Sequence, residues 1–124
     1  MVGNESERHL RYKRKVADIL RDAGFTVFGD SDDEVAIYRN DTKTPYFIDV
    51  CACSDTRIIA VEIDGYRGHN SRRAILRDKH RTNEIKELIN NIEFYRFAFF
   101  QLKGMDNETI ALELGLTSKG RDNK

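Results

Sequence analysis

Long apolar runs, a signal-peptide pattern, repeats and low-complexity segments are all missing from this sequence. Without an apolar stretch of about 18 residues or more, no membrane-spanning helix is expected. Without a leader pattern, the chain reads as soluble, intracellular and cytoplasmic, with no membrane partner. Cysteine is scarce, and the two present, Cys51 and Cys53, are spaced to share one strand face rather than to form a disulfide. No second CxxC or HxxxH grouping accompanies them for zinc, so they read as buried free thiols. The single proline, Pro45, stands where a strand would begin, a position where a missing N–H does little harm. Net charge is absent too, with 21 Lys and Arg against 21 Asp and Glu, which argues against a uniformly basic nucleic-acid binder. At 124 residues the chain suits one domain, residues 1–116, and a polar, flexible tail at 117–124.

What is present is unevenly placed. Residues 30–55 hold seven acids against Arg39 and Lys43, a net charge of −5, whereas residues 67–90 carry a net +4. An acidic centre beside a basic helix suits a metal site with a phosphate-gripping wall. Mutual neutralisation of the two segments is the alternative.

The acidic centre falls on two strand-like runs, Tyr46 to Cys53 and Arg57 to Asp64, joined by the turn residues Ser54-Asp55-Thr56. Centring the turn on Asp55 and Thr56 sets Asp49 opposite Glu62. It also puts Asp49, Cys51 and Cys53 on one face with Glu62 and Asp64. Like charges directly opposed on a sheet repel, so such a pair needs a shared proton or a shared cation. Hard divalent ions bind one or two carboxylates together with water and substrate phosphate, which makes the pair half of a Mg²⁺ or Mn²⁺ site. A one-residue slip would instead send the two acids to opposite faces.

Asp49, followed after twelve residues by Glu62-Ile63-Asp64, resembles the PD-(D/E)XK nuclease pattern. The stretch EIDG…H, with Asp78-x-x-Arg81 and Tyr95-Arg96-Phe97 after it, is most similar to very-short-patch-repair-like endonucleases. The resemblance spans roughly residues 5 to 100 and rests on the ordered set of motifs. It implies a restriction-endonuclease-like α-β-β-β-α-β core. It also implies a cation held by Asp49, Glu62 and the backbone oxygen of Ile63, and His69 as a candidate base. By similarity to archaeal Holliday-junction resolvases, an acid of the first helix, here Glu7, would join the metal site; helix capping explains Glu7 as well. Dimers are common in this superfamily. One departure is clear: Asp64 stands where the family has its lysine. Asp64 would then orient the attacking water or help hold a second ion.

Around this centre the pattern predicts a helix from Asn4 to Ala23, capped by Asn4 and stopped by Gly24. Its apolar stripe is Leu10, Val16, Ala17, Leu20 and Ala23, with Arg8, Arg11, Lys13, Arg14 and Lys15 on the remaining surface. Short strands are expected at Phe25–Phe28 and Val35–Tyr38. A second helix over 71–90 would bury Ala74, Ile75, Ile85, Leu88 and Ile89. Its Arg73, Arg77 and His80, with Arg72 nearby and Arg67 before it, would face phosphates; a solvated face is the alternative. Asp78, on the apolar stripe, needs an ion partner, and Arg81 is three residues away. An interior strand, Ile92 to Leu102, and a last helix, Asp106 to Leu114, burying Ile110, Leu112 and Leu114, complete an α/β fold. That fold is a mixed central sheet flanked by helices.

The function expected is metal-dependent hydrolysis of DNA phosphodiester bonds. A catalytically inactive nuclease-fold DNA-binding or scaffold protein, and a protein–protein interaction module, are the alternatives.

Overall fold

The computed structural model describes residues 7–28, 35–38, 45–65 and 72–116. Their elements are α1 (Glu7–Asp22), β1 (Thr26–Phe28), β2 (Val35–Ile37), β3 (Tyr46–Ile48), β4 (Val50–Cys53), β5 (Ile58–Asp64), α2 (Arg72–Leu88), β6 (Ile92–Ala98), α3 (Phe99–Lys103) and α4 (Asn107–Glu113). The main sheet runs β1-β4-β5-β6, antiparallel except for the parallel pair β5 and β6. β2 and β3 pair separately as an antiparallel ribbon. The chain is therefore α/β, with a mixed sheet flanked by helices.

The hairpin has the register that its turn chemistry predicts. Ser54 N–H donates to Arg57 O at 2.9 Å, and Ser54 Oγ accepts from the N–H groups of Thr56 and Arg57. Val50 then pairs with Val61 and Cys53 with Ile58, and the ladder ends at Val50, one step short of the predicted opposition of Asp49 and Glu62.

The expected single strand Tyr46–Cys53 is broken at that point. Asp49 occupies a bend, and its Oδ2 accepts the Ile63 N–H at 2.7 Å, standing in for a ladder carbonyl. β3, released from β5, pairs with β2 instead. Asp64 therefore has no ladder partner in Phe47, which lies opposite Ala36.

Helices cover one face of the sheet. Val16, Ala17 and Leu20 of α1, Leu102 of α3, and Ile110 and Leu114 of α4 pack on Val50, Ala52, Ile59, Val61, Ile63 and Phe97. α1 ends as Gly24 takes a φ of 97°, with Gly24 N–H bonded to Arg21 O and Phe25 N–H to Leu20 O. A positive φ there is cheap only for a residue without Cβ. The opposite face is narrower. It joins Ile48, Ala60, Ile85 and Ile92, edged by Val35, Ile37, Cys51 and Phe94.

Several expectations need correction. Ile92–Leu102 is not one interior strand: β6 ends at Ala98 and lies at the sheet's edge. Gln101 Oε1 accepts the Ala98 N–H at 2.7 Å, which starts α3 and turns Leu102 into the core. Ile75 is 46% exposed and Leu112 is 64% exposed. In α2 only the second half, from Asp78 onward, meets the sheet, so the first half has no core to fill. Lys13, expected on the surface, is fully buried. Both cysteines are free and half-buried rather than buried. Asn4 lies outside the described residues.

Candidate functional site

α1 carries its apolar face toward the sheet through Leu20, Ala17 and Val16. One and two turns further toward the N-terminus, that face presents Lys13 and His9. Polar side chains thus continue a core-facing stripe, and they meet Asp49. His9 Nε2 lies 3.0 Å from Ile63 O and 3.5 Å from Asp49 Oδ1. Burial works against the charge of Asp49. The bonds from His9 and the Ile63 N–H, with the charges of His9 and Lys13, outweigh it and hold the carboxyl below its ordinary range.

Glu62 projects to the other face, toward α2. Arg81 Nη2 donates to Glu62 Oε2 and to Phe47 O, both at 2.6 Å, and its guanidinium stacks 5.8 Å from the Tyr46 ring centroid. Arg96, the parallel-ladder partner of Glu62, lies 3.7 Å from Glu62 Oε1, 3.5 Å from Asp64 Oδ2 and 3.1 Å from Asp78 Oδ2. Burial pushes the Glu62 carboxyl up against the pull of Arg81, and the Asp49 charge adds to the rise. The two acids therefore feel one another, but they do not share a face as the register predicts. The bend at Asp49 turns its carboxylate to the α1 side, against His9 and the Ile63 N–H, while Glu62 stays on the α2 side.

α2 is fixed to this end of the sheet by polar contacts from one face: Asp78 to Arg96, Arg81 to Glu62 and Phe47 O, and Glu84 to the Tyr46 hydroxyl at 2.5 Å. Asp78 thus has an ion partner as expected, but it is Arg96. Arg81 reaches past it to the more buried acid.

The donor set was tested for a divalent cation by its chemistry. Among the described residues, no three His, Cys, Asp or Glu side chains are grouped to hold an ion. A closed protein cage is therefore not what this arrangement offers. Two carboxylates and one backbone oxygen are hard donors of the kind such an ion takes with water and substrate phosphate, but Asp49 and Ile63 O lie on the α1 side and Glu62 on the α2 side. Glu62 would have to exchange an arginine for the ion.

No protein-family model matches the chain, and no curated protein does. Among solved structures it is similar to a protein of unknown function, AF1548, at 13% identity and a TM-score of 0.50. The match covers 86% of this chain and 66% of that one. The likeness is one of fold alone. This chain spans just under two thirds of that protein's length.

The remaining predicted residues are dispersed. Glu7 is exposed on the first turn of α1; two residues from His9, it points about 200° away around the helix. The first helix does reach the centre, but through His9 and Lys13. Arg72, Arg73 and Arg77 are exposed on the free half of α2, and His80, also exposed, lies 3.5 Å from Glu84. Arg67 and His69 lie outside the described residues. Sequence reasoning missed His9, Lys13, Arg81 as the partner of Glu62, and Arg96. The signal for the first two was a polar residue on an apolar helical stripe, the same signal that marked Asp78. No helix among the described residues is long and apolar enough to cross a membrane.

Proposed function

We propose that this chain is a nuclease of the PD-(D/E)XK superfamily, hydrolysing phosphodiester bonds in DNA with Mg²⁺ or Mn²⁺ as cofactor. The observation that supports this reading is the closeness of the two acids at the end of β5, where the charge of Asp49 adds to the rise of the Glu62 carboxyl, although Asp49 leans to the α1 side and Glu62 to the α2 side. With Ile63 O, these two would hold the cation. When bound, it would lower the pKa of a water and offset charge growing on phosphorus.

The chain's own residues do the rest. His9 keeps Ile63 O and Asp49 on one side of the centre, and the buried Lys13 adds positive charge that favours an ionised Asp49. Asp64, placed by Arg96, orients the attacking water in the position where the resembled family has lysine. His69 is the second candidate for that work. Arg67, Arg72, Arg73, Arg77 and His80 grip phosphates without reading sequence. The exposed position of Glu7 supports a capping role rather than a ligand role. The homodimer implied by the resemblance belongs to the same proposal.

A second reading, a metal-independent DNA-binding or scaffold protein, is favoured by one observation: arginines lie against both oxygens of Glu62. One assay separates the two. Plasmid, linear, single-stranded and branched DNA are incubated with Mg²⁺, Mn²⁺ or EDTA. Cleavage of at least one substrate that EDTA abolishes is expected of the nuclease. DNA binding that neither needs metal nor leads to cleavage would select the second reading.

A further inference from the structure

Beside the carboxylates, where β5 ends at Asp64 and β6 passes into α3, a cavity of about 230 Å³ opens between α1 and α3. Its walls include Tyr12, Phe99 and Phe100, with Arg8 and Lys103 at hand and Gly65 at the base. Phe99 is firmly set. A Cβ on Gly65 would lie 3.2 Å from its ring, so the glycine lets the ring rest on the backbone. Tyr12 stands 5.2 Å away at a tilt of 48°, and the Arg8 guanidinium lies 5.5 Å over the same ring. Phe100, next along α3, is 64% exposed.

We infer that this cavity is a subsite for one unstacked nucleotide, its base against the aromatic wall and its phosphate on Arg8 and Lys103. Three features select that class of ligand. Aromatic faces suit a flat ring, since base–aromatic stacking tolerates any base. Two cations, with no acid among the described lining residues, favour an anionic substituent. The volume falls below the roughly 300–1,000 Å³ of sites for drug-sized molecules, so a single ring system fits and a folded peptide does not. The cavity also shares a wall with the carboxylate centre: the Phe99 ring lies 6.0 Å from the His9 ring, and His9 touches Ile63 O and Asp49.

The inference rests on the nuclease reading and narrows its substrate. Bases in an intact duplex are stacked and paired, and reaching this cavity would cost their unstacking. DNA with an unpaired nucleotide beside the cleavage point is therefore the preferred substrate.

The test uses Phe100→Trp and Phe100→Ala in the full chain, which has no tryptophan of its own. Binding to a single-stranded oligonucleotide, and to the perfect duplex of the same sequence, is followed in EDTA. With Phe100→Trp, the sole indole should be quenched by the single strand and little changed by the duplex. Phe100→Ala should weaken single-strand binding about tenfold, the loss of one stacked base, with an unchanged melting temperature and under twofold change for the duplex. Equal quenching by both DNAs, or equal loss on both, would overturn the subsite and leave the nuclease reading standing. Absence of single-strand binding by the wild-type chain would overturn the subsite, while the EDTA-sensitive cleavage assay decides the nuclease reading.

Discussion

Asp49 has a structural and an electrostatic task at once. Its Oδ2 takes the Ile63 N–H, and its charge faces the buried Lys13. Asp49→Ala should therefore cost stability as well as activity. An orphaned buried N–H alone costs about 1–3 kcal/mol, to be seen in urea unfolding; a variant as stable as wild type would show that water replaces the carboxylate there. Cys51 offers a second check at this scale. Burial pushes its thiol up to about 12, with the charge of Glu62 adding to the effect. Because the folded value lies above the ordinary thiol value of 9.0, its contribution is intact below pH 9.0 and is lost as pH rises towards about 12. Cys51→Ala should flatten that part of the alkaline decline in the unfolding midpoint. In the folded wild type, iodoacetamide at neutral pH should leave Cys51 unmodified by mass spectrometry, and labelling as fast as in denaturant would refute its protonated, buried state.

Among the elements, α2 is two helices in one. Its second half is tied to the sheet by Asp78, Arg81 and Glu84 and inserts Ile85 into the core. Its first half leaves Arg72, Arg73, Ile75, Leu76 and Arg77 exposed. Cations at i and i+4 repel unless anions lie across them, so this half is where the proposed phosphate contacts would fall. Reversing Arg73 and Arg77 to Glu should weaken binding to all DNA sequences alike and lower the salt slope by about two. An unchanged slope in salt-dependent anisotropy would return this face to plain solvent. At the opposite end of the sheet, Arg57 is a structural clamp. It binds Glu93 through Nε and Nη2 and caps the α4 carbonyls of Leu114 and Gly115.

For the whole molecule, local chemistry and nonlocal packing divide what could be read in advance. The turn at Asp55-Thr56, the register of β4 and β5, the glycine stop of α1 and the start of the last helix at Asp106, whose side chain accepts the Thr109 N–H, depend on neighbours in sequence and were legible. The break at Asp49 was not, because it depends on the Ile63 N–H and on β2 waiting to pair with β3. Nor was the end of β6, which a glutamine three residues on decides. The candidate site was half legible. That its acids lie near the end of β5 follows from the register, but the bend that turns Asp49 to the α1 side does not. Its cations, Lys13, Arg81 and Arg96, arrive from two helices and a parallel strand whose placement periodicity does not give. DNA cleavage through a cation held at Asp49 and Glu62 is what we propose for this assembly. Its most direct test compares wild type with Asp49→Asn, purified identically and shown by circular dichroism to be folded, on plasmid and branched DNA in Mn²⁺. Cleavage by the wild type that is lost in EDTA and at least a hundredfold slower in Asp49→Asn is predicted. Equal rates for the two, or no cleavage by either, would contradict it.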